Sequence, residues 1–239
     1  MLAQALHDVL QRIENAARAA RRPAPRLLAV SKTRSSAEIA ALAAALRGRL
    51  PTAAPAFGEN YVQEAAAKVS ELTQHGIEWH LVGHLQSNKA VQAAMLFDWV
   101  QSVDRTKVVA ALAAARPADR APLNVLIQVD VDDETSKHGC RPDAVPALAA
   151  AIAAQPRLEL HGLMAIPAPT PDPAQRRKAF RAMRVLYDAL ATRYPQVDTL
   201  SMGMSEDLEL AIAEGATMVR IGTALFGKRG RPAEGRLSP

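Results

Sequence analysis

A lysine just past an apolar run, and two glycine–hydroxyl turns far along the chain, are the groups with most chemistry to offer. Lys32 follows Leu27-Leu28-Ala29-Val30-Ser31. An amine at such a strand exit is partly desolvated, which disfavours the ammonium form and frees the nitrogen for imine formation. The plain alternative is a surface lysine at a strand end. Ser201-Met202-Gly203-Met204-Ser205 sets a glycine between two hydroxyls before a helix, and Gly222-Thr223 repeats the arrangement. Backbone amides at glycine turns and helix N-termini bind phosphate. Ser205 equally suits an N-cap followed by the first-turn acids Glu206 and Asp207, which leaves Ser201, Gly203, Gly222 and Thr223 for an anion. Arg220 alternates with Val219 and Ile221 and so faces the opposite side from them. A charge inside a fold needs a partner. Over a pyridine-type ring it would donate to the ring nitrogen and keep it unprotonated, weakening the ring as an electron sink. An acid such as Glu59 or Asp104 is the other candidate.

The remaining polar groups form no second set. His80 and His84 are four residues apart but straddle a strand end, which is a poor metal site. His161 lies in an apolar strand and reads as a hydrogen-bonded core residue. Cys140 is the one cysteine, so neither an internal disulfide nor a cysteine zinc cluster can form, and an inert thiol is expected.

These groups must be held by strands. Apolar runs at Leu27 to Ser31, Ala54 to Gly58, Glu78 to Val82, Trp99 to Val103, Asn124 to Asp130, Leu160 to Ile166, Thr199 to Met202 and Met218 to Ile221 alternate with helical patterns. The helices are placed near Ser36 to Leu46, Asn60 to Thr73, Ser87 to Met95, Arg105 to Ala115, Pro142 to Ala154, Ala174 to Arg193 and Glu206 to Ala213, with a short one after Thr223. Such alternation predicts parallel βαβ units. Eight strands in this length fit a single-domain α/β fold, the (β/α)8 TIM barrel, better than the runner-up, a doubly wound sheet. The barrel with its N-terminal helix is expected over residues 1–230, and a frayed tail over 231–239. Barrels of this kind gather their functional groups at the carboxyl ends of the strands. Lys32, Asn60, Ser201 to Ser205 and Gly222-Thr223 all fall there.

Composition narrows the classes. The 239 residues are 49% hydrophobic and 22% charged, as in a water-soluble globular chain. The formal charge is +5 and the pI about 9.7. The basic clusters at Arg21-Arg22, Arg176-Arg177-Lys178 and Lys228-Arg229-Gly230-Arg231 lack interleaved aromatic residues, so a nucleic-acid partner is not expected. Leu2, Leu6, Val9, Leu10 and Ile13 are broken by His7, Asp8, Gln11 and Glu14. They describe an amphipathic helix ending near Pro23 and Pro25, not a secretory signal. No apolar run reaches the ~18 residues of a membrane span. A cytoplasmic protein with no membrane partner is expected.

Several stretches resemble the pyridoxal phosphate homeostasis protein family: Ala29-Val30-Ser31-Lys32-Thr33, Phe57 to Glu64 (FGENYVQE), Trp79 to Lys89 (WHLVGHLQSNK), Gly162 to Ile166, Leu200 to Ser205 and Met218 to Gly227. They run in family order along essentially the whole chain. The resemblance implies an alanine racemase N-terminal-domain-like barrel, the type III fold of pyridoxal 5'-phosphate (PLP) proteins, with Lys32 as the Schiff-base lysine. It also implies phosphate contacts from the Ser201 to Ser205 loop, Gly222 and Thr223, with Arg220 at the pyridine nitrogen and Asn60 near the ring. The expected role is a monomeric carrier in vitamin B6 homeostasis, with PLP-dependent apoenzymes as recipients and no catalytic residues. Many relatives carry proline where His84 stands, so His84 receives no role. No second domain to close the cofactor face is expected. An amino-acid racemase or transaminase-like enzyme, with Lys32 as one base and Tyr61 or a neighbour as the other, is the alternative, and a sugar-phosphate isomerase without PLP a third.

Overall fold

The computed structural model describes residues 2–132 and 138–227. The expected tail at 231–239, the basic cluster at 228–231, and Ser136 and Lys137 lie outside the described residues. Strands and helices follow one another as α1 (Leu2–Ala20), β1 (Arg26–Val30), α2 (Ser36–Arg49), β2 (Ala56–Glu59), α3 (Val62–Glu71), β3 (Glu78–Leu81), α4 (Ala90–Leu96), β4 (Trp99–Val103) and α5 (Thr106–Ala115). They continue as β5 (Leu123–Gln128), α6 (Val145–Ala153), β6 (Leu158–Met164), α7 (Pro173–Arg193), β7 (Thr199–Ser201), α8 (Leu208–Ala213), β8 (Met218–Ile221) and α9 (Thr223–Phe226).

Every neighbouring strand pair is parallel, and the sheet closes on itself as β1-β2-β3-β4-β5-β6-β7-β8. Closure rests on β1 against β8, with Leu27 opposite Val219 and Leu28 opposite Arg220. That pairing excludes the doubly wound alternative and brings the start and end of the sequence side by side. The strands read as continuous apolar runs because both faces are covered. The largest apolar cluster, which includes Phe57, Phe97 and Phe180, packs the outer faces of the strands against the helices. Smaller groups (Leu28, Ala56, Val82, Met218 and Trp99, Leu126, Met164) fill the barrel.

Local chemistry sets the helix ends. Ser35 accepts from the Glu38 N–H while the Glu38 carboxylate accepts from the Ser35 N–H, a capping box that starts α2. Helix α1 buries Leu6, Val9, Ile13 and Ala17, the three-to-four spacing of an amphipathic helix. It packs against α8 and α9, and Arg12 donates to the Ser205 carbonyl (3.1 Å) and to Glu209 (2.9 Å).

Two boundaries shift in ways that matter at the barrel mouth. Helix α3 begins at Val62, not at Asn60, which leaves Asn60 in the loop. Helix α8 begins at Leu208, with Asp207 and not Ser205 in the capping position. The Asp207 carboxylate turns back to accept from the Met204 N–H (2.6 Å) and pairs with Arg176 (2.9 Å). Residues 205–207 therefore form a turn ahead of the helix.

Candidate cofactor site

A cavity of about 340 Å³ opens at the carboxyl ends of the strands, lined by Lys32, Asn60, Arg176, Ser205, Arg220, Gly222 and Thr223 with apolar walls from Val30, Val82 and Ile166. Six of the eight residues singled out in the sequence line it together. The β1–β8 pairing explains why Lys32 and Gly222 share a wall although 190 positions separate them. A Cβ at Gly222 would stand 3.2 Å from the Val30 carbonyl oxygen, so the turn into α9 lies directly on the end of β1. The Thr223 and Ala224 N–H groups open α9, where a helix has no internal acceptors for them. Asn60 is held by contact as well. A Cβ at Gly83 would fall 2.1 Å from the Asn60 carbonyl oxygen, so the backbone after β3 packs straight onto Asn60.

Lys32 is half-buried in the turn after β1. The next residue, Thr33, has φ 65°, the left-handed region that β-branched residues avoid.

Arg220 is 3% exposed. It donates through Nη1 to the Ser201 carbonyl and hydroxyl (2.8 Å each) and through Nη2 to the Ala165 carbonyl (2.7 Å). Burial lowers its pKa to about 10, against the opposing pull of the Asp207 charge. The expected ion pair with Glu59 or Asp104 is not formed. Glu59 is bound by Lys68 and Asp104 by Arg105, and among the described residues Arg220 has only neutral acceptors.

Ser201 and Gly203 do not line the cavity. Ser201 is fully buried, its hydroxyl accepting from Arg220 and donating to Gln101 Oε1 (2.7 Å). Its hydroxyl is taken up by these two side chains inside the barrel. Gly203, at φ 91°, packs so closely that an added Cβ would meet the Ala211 side chain at 2.4 Å, and its carbonyl accepts from the Arg220 N–H. Both residues bond Arg220, which does line it.

Below Ser201 the hydrogen bonds continue down the barrel. Gln101 Nε2 lies 2.9 Å from His80 Nδ1, and His80 Nε2 lies 2.5 Å from Glu78, which also pairs with Arg26 (2.8 Å). Because the Gln101 oxygen is taken by Ser201, its amide donates to Nδ1, which assigns the His80 proton to Nε2. Burial lowers the His80 pKa despite the neighbouring Glu78. Burial raises the Glu78 pKa, but hydrogen bonds from His80 and Arg26 hold it below the usual carboxylate range. Arg220, Ser201, Gln101, His80 and Glu78 thus form one donor-to-acceptor chain from the mouth toward the amino ends of the strands.

A second cavity of about 370 Å³ adjoins the first at Asn60 and holds Tyr61, His84, Lys89 and His138. The His84 and His138 rings stack at 3.7 Å. Tyr61 is 61% exposed and lines this cavity, not the one with Lys32. His161 bridges Asp198 at the other end of β6 (3.3 Å). Among the described residues no group of histidine, cysteine and carboxylate side chains could hold a metal ion, and no helix is long and apolar enough to cross a membrane.

Three residues at or beside the cavity carry little sequence signal for it. Arg176 stands in a basic cluster in the sequence, yet it reaches the cavity from the first turn of α7. Asp207 has the sequence signature of a first-turn acid. Lys68, on α3, is buried and donates to the Ser31 carbonyl (2.9 Å), Glu59 (2.8 Å) and Glu64 (2.7 Å). The i, i+4 spacing of Glu64 and Lys68 was the available signal for the last of these.

Residues 5–230 match the family model described as alanine racemase, N-terminal domain. The pyridoxal phosphate homeostasis protein of Pseudomonas aeruginosa is 51% identical over 237 residues, covering 97% of this chain and 98% of the relative. That of Escherichia coli strain K12 is 50% identical over 207 residues, 85% of each chain. Among solved structures, PipY of Synechococcus elongatus PCC7942 with PLP bound superposes with a TM-score of 0.78 at 33% identity, covering 95% of this chain and all of that one. Alanine racemase of Corynebacterium glutamicum gives 0.68 at 18% identity, with 95% of this chain matched to 62% of that one, a likeness of fold alone.

Proposed function

Because the chain belongs to the pyridoxal phosphate homeostasis protein family, we propose that it binds pyridoxal 5'-phosphate as a Schiff base on Lys32 and serves vitamin B6 homeostasis in the cytoplasm as a carrier, not as an enzyme. One observation carries the reading: an amine, a buried guanidinium and a glycine–threonine helix start share the walls of one cavity. When bound, the cofactor supplies an aldehyde. Lys32 would supply the amine that holds it.

The chain's own groups do the rest. Thr223, Gly222 and the first N–H groups of α9 receive the phosphate, with the Ser205 turn and the Arg176 charge beside it. Arg220 keeps Nε–H and its second Nη2–H free of the bonds described above, and donates to the ring nitrogen. A permanent donor there keeps that nitrogen unprotonated, which suits holding the cofactor more than driving carbanion chemistry with it. Asn60, fixed by Gly83, lies between the two cavities and borders the ring. The carrier acts as a monomer and releases its cofactor to PLP-dependent apoenzymes.

The test is an absorption spectrum of PLP-saturated protein before and after borohydride, followed by a peptide map. The reduced pyridoxyl group is expected on Lys32 and is lost in Lys32→Ala. Full stoichiometry on a different lysine in the wild-type protein would overturn the assignment. Sustained turnover of D- or L-alanine that depends on Lys32 would replace the carrier by the racemase.

A further inference from the structure

Lys32 is flanked by two peptide groups, and one ion-pair network grips both. The carbonyl of the Ser31–Lys32 peptide accepts from Lys68 Nζ (2.9 Å), and the N–H of the Lys32–Thr33 peptide donates to Glu64 Oε1 (2.5 Å). Lys68 joins these contacts by donating to the same Glu64 oxygen (2.7 Å) and to Glu59 (2.8 Å), and Glu59 also accepts from the Ser31 hydroxyl (2.5 Å). Two peptide planes determine the φ and ψ of the residue between them, and so the direction of its Cα–Cβ bond. The grip acts on a strained backbone. Thr33 at φ 65° persists only where its surroundings over-determine it, and the Glu64 carboxylate on its N–H is such a constraint.

Resting on the reading of Lys32 as the imine-forming residue, we infer that Lys68 and Glu64 are positioning residues that set the main chain on both sides of Lys32 and so aim its amine into the cavity. The same contacts separate the two amines by role. All three Lys68 N–H groups are donated, so its nitrogen offers no lone pair to an aldehyde, although it lies beside the Lys32 backbone. A helix-surface salt bridge, which is what Glu64 and Lys68 resemble in sequence, would leave Lys32 untouched.

Lys68→Met strands the buried Glu59 carboxylate and threatens folding, so Glu64→Ala is the informative change. Glu64 is partly exposed, and its loss still leaves Lys68 two acceptors. Stopped-flow formation of the Lys32 adduct is compared with the affinity for pyridoxine 5'-phosphate, which has the phosphate and ring but no aldehyde. Glu64→Ala is expected to slow adduct formation about tenfold or more while changing the affinity for the aldehyde-free ligand by less than about twofold. Adding Thr33→Gly, which reaches positive φ without strain, is expected to recover most of the lost rate. An unchanged rate, an equal loss of both measurements, or a double variant as slow as Glu64→Ala overturns the inference. Hydrogen exchange at the Thr33 amide reads the grip with no cofactor present and is expected to quicken in Glu64→Ala. If it does not, the inference fails whatever Lys32 carries. If wild-type protein carries no adduct on Lys32 while the exchange responds, it is the proposed function that fails.

Discussion

The Ser201 hydroxyl accepts from the Arg220 guanidinium at 2.8 Å and donates to Gln101 at 2.7 Å, so a residue at the end of β7 links the mouth of the barrel to its interior. Ser201→Ala leaves Gln101 Oε1 without its donor and Arg220 with one acceptor fewer in a buried setting. A stability loss of about 1–3 kcal/mol is expected, read by urea unfolding, with a displaced absorption maximum of bound cofactor as Arg220 reorients. Unchanged stability would show that the hydrogen bond carries no load.

Thr223→Val keeps the shape of the α9 start and removes only a hydroxyl. Since the Thr223 side chain is exposed and takes no part in the apolar core, the melting temperature is expected to stay within about 2 °C of wild type. The PLP dissociation constant is expected to rise about tenfold, the worth of one lost bond to a charged group. Equal affinity would remove Thr223 from the phosphate contacts.

Acid lability is expected from His80. Burial lowers its pKa in the fold, so the unfolded chain takes up the proton first as pH falls. Stability is full above the unfolded value near 6.5 and declines as pH drops below it, by at most about 1.4 kcal/mol per pH unit for one proton. His80→Gln should flatten that decline between about pH 6.5 and the carboxylate range. A parallel slope in the variant would point to other groups.

Cys140 is buried, and desolvation pushes its thiol up to about 12. At pH 8 the thiolate is then on the order of one part in 10⁴. Native protein should resist a thiol-specific disulfide reagent at that pH and react stoichiometrically once unfolded in guanidinium. Fast labelling of folded protein would contradict it.

Gly83→Ala tests the hold on Asn60. A methyl group 2.1 Å from the Asn60 carbonyl cannot be accommodated without moving backbone. Destabilisation of about 2 kcal/mol or more is expected, together with weaker cofactor retention. A neutral outcome would mean that the two loops part freely.

The barrel was legible because strands covered on both faces show unbroken apolar runs, such as Leu27 to Val30, and because a helical pattern follows each. What escaped depended on contacts across elements. Ser201 and Arg220 lie on strands whose alternate residues face inward, and that parity brings the two side chains together inside the barrel. Asp207 looked like an ordinary first-turn acid, since nothing local announces that it bonds back to Met204 and across to Arg176. Lys68 carried a helix-surface signature, and only the arrival of Glu59 from β2 makes it an interior residue.

The Arg12 contact with Ser205 and Glu209 couples the first helix made to a turn made about 190 residues later. A chain still on the ribosome holds Lys32 long before it has a β8 edge, an α9 start or the loop that α1 steadies. On the proposed reading of the site, tight retention of the cofactor is therefore expected only once synthesis has passed Thr223, because a shorter chain carries the amine without the proposed phosphate contacts.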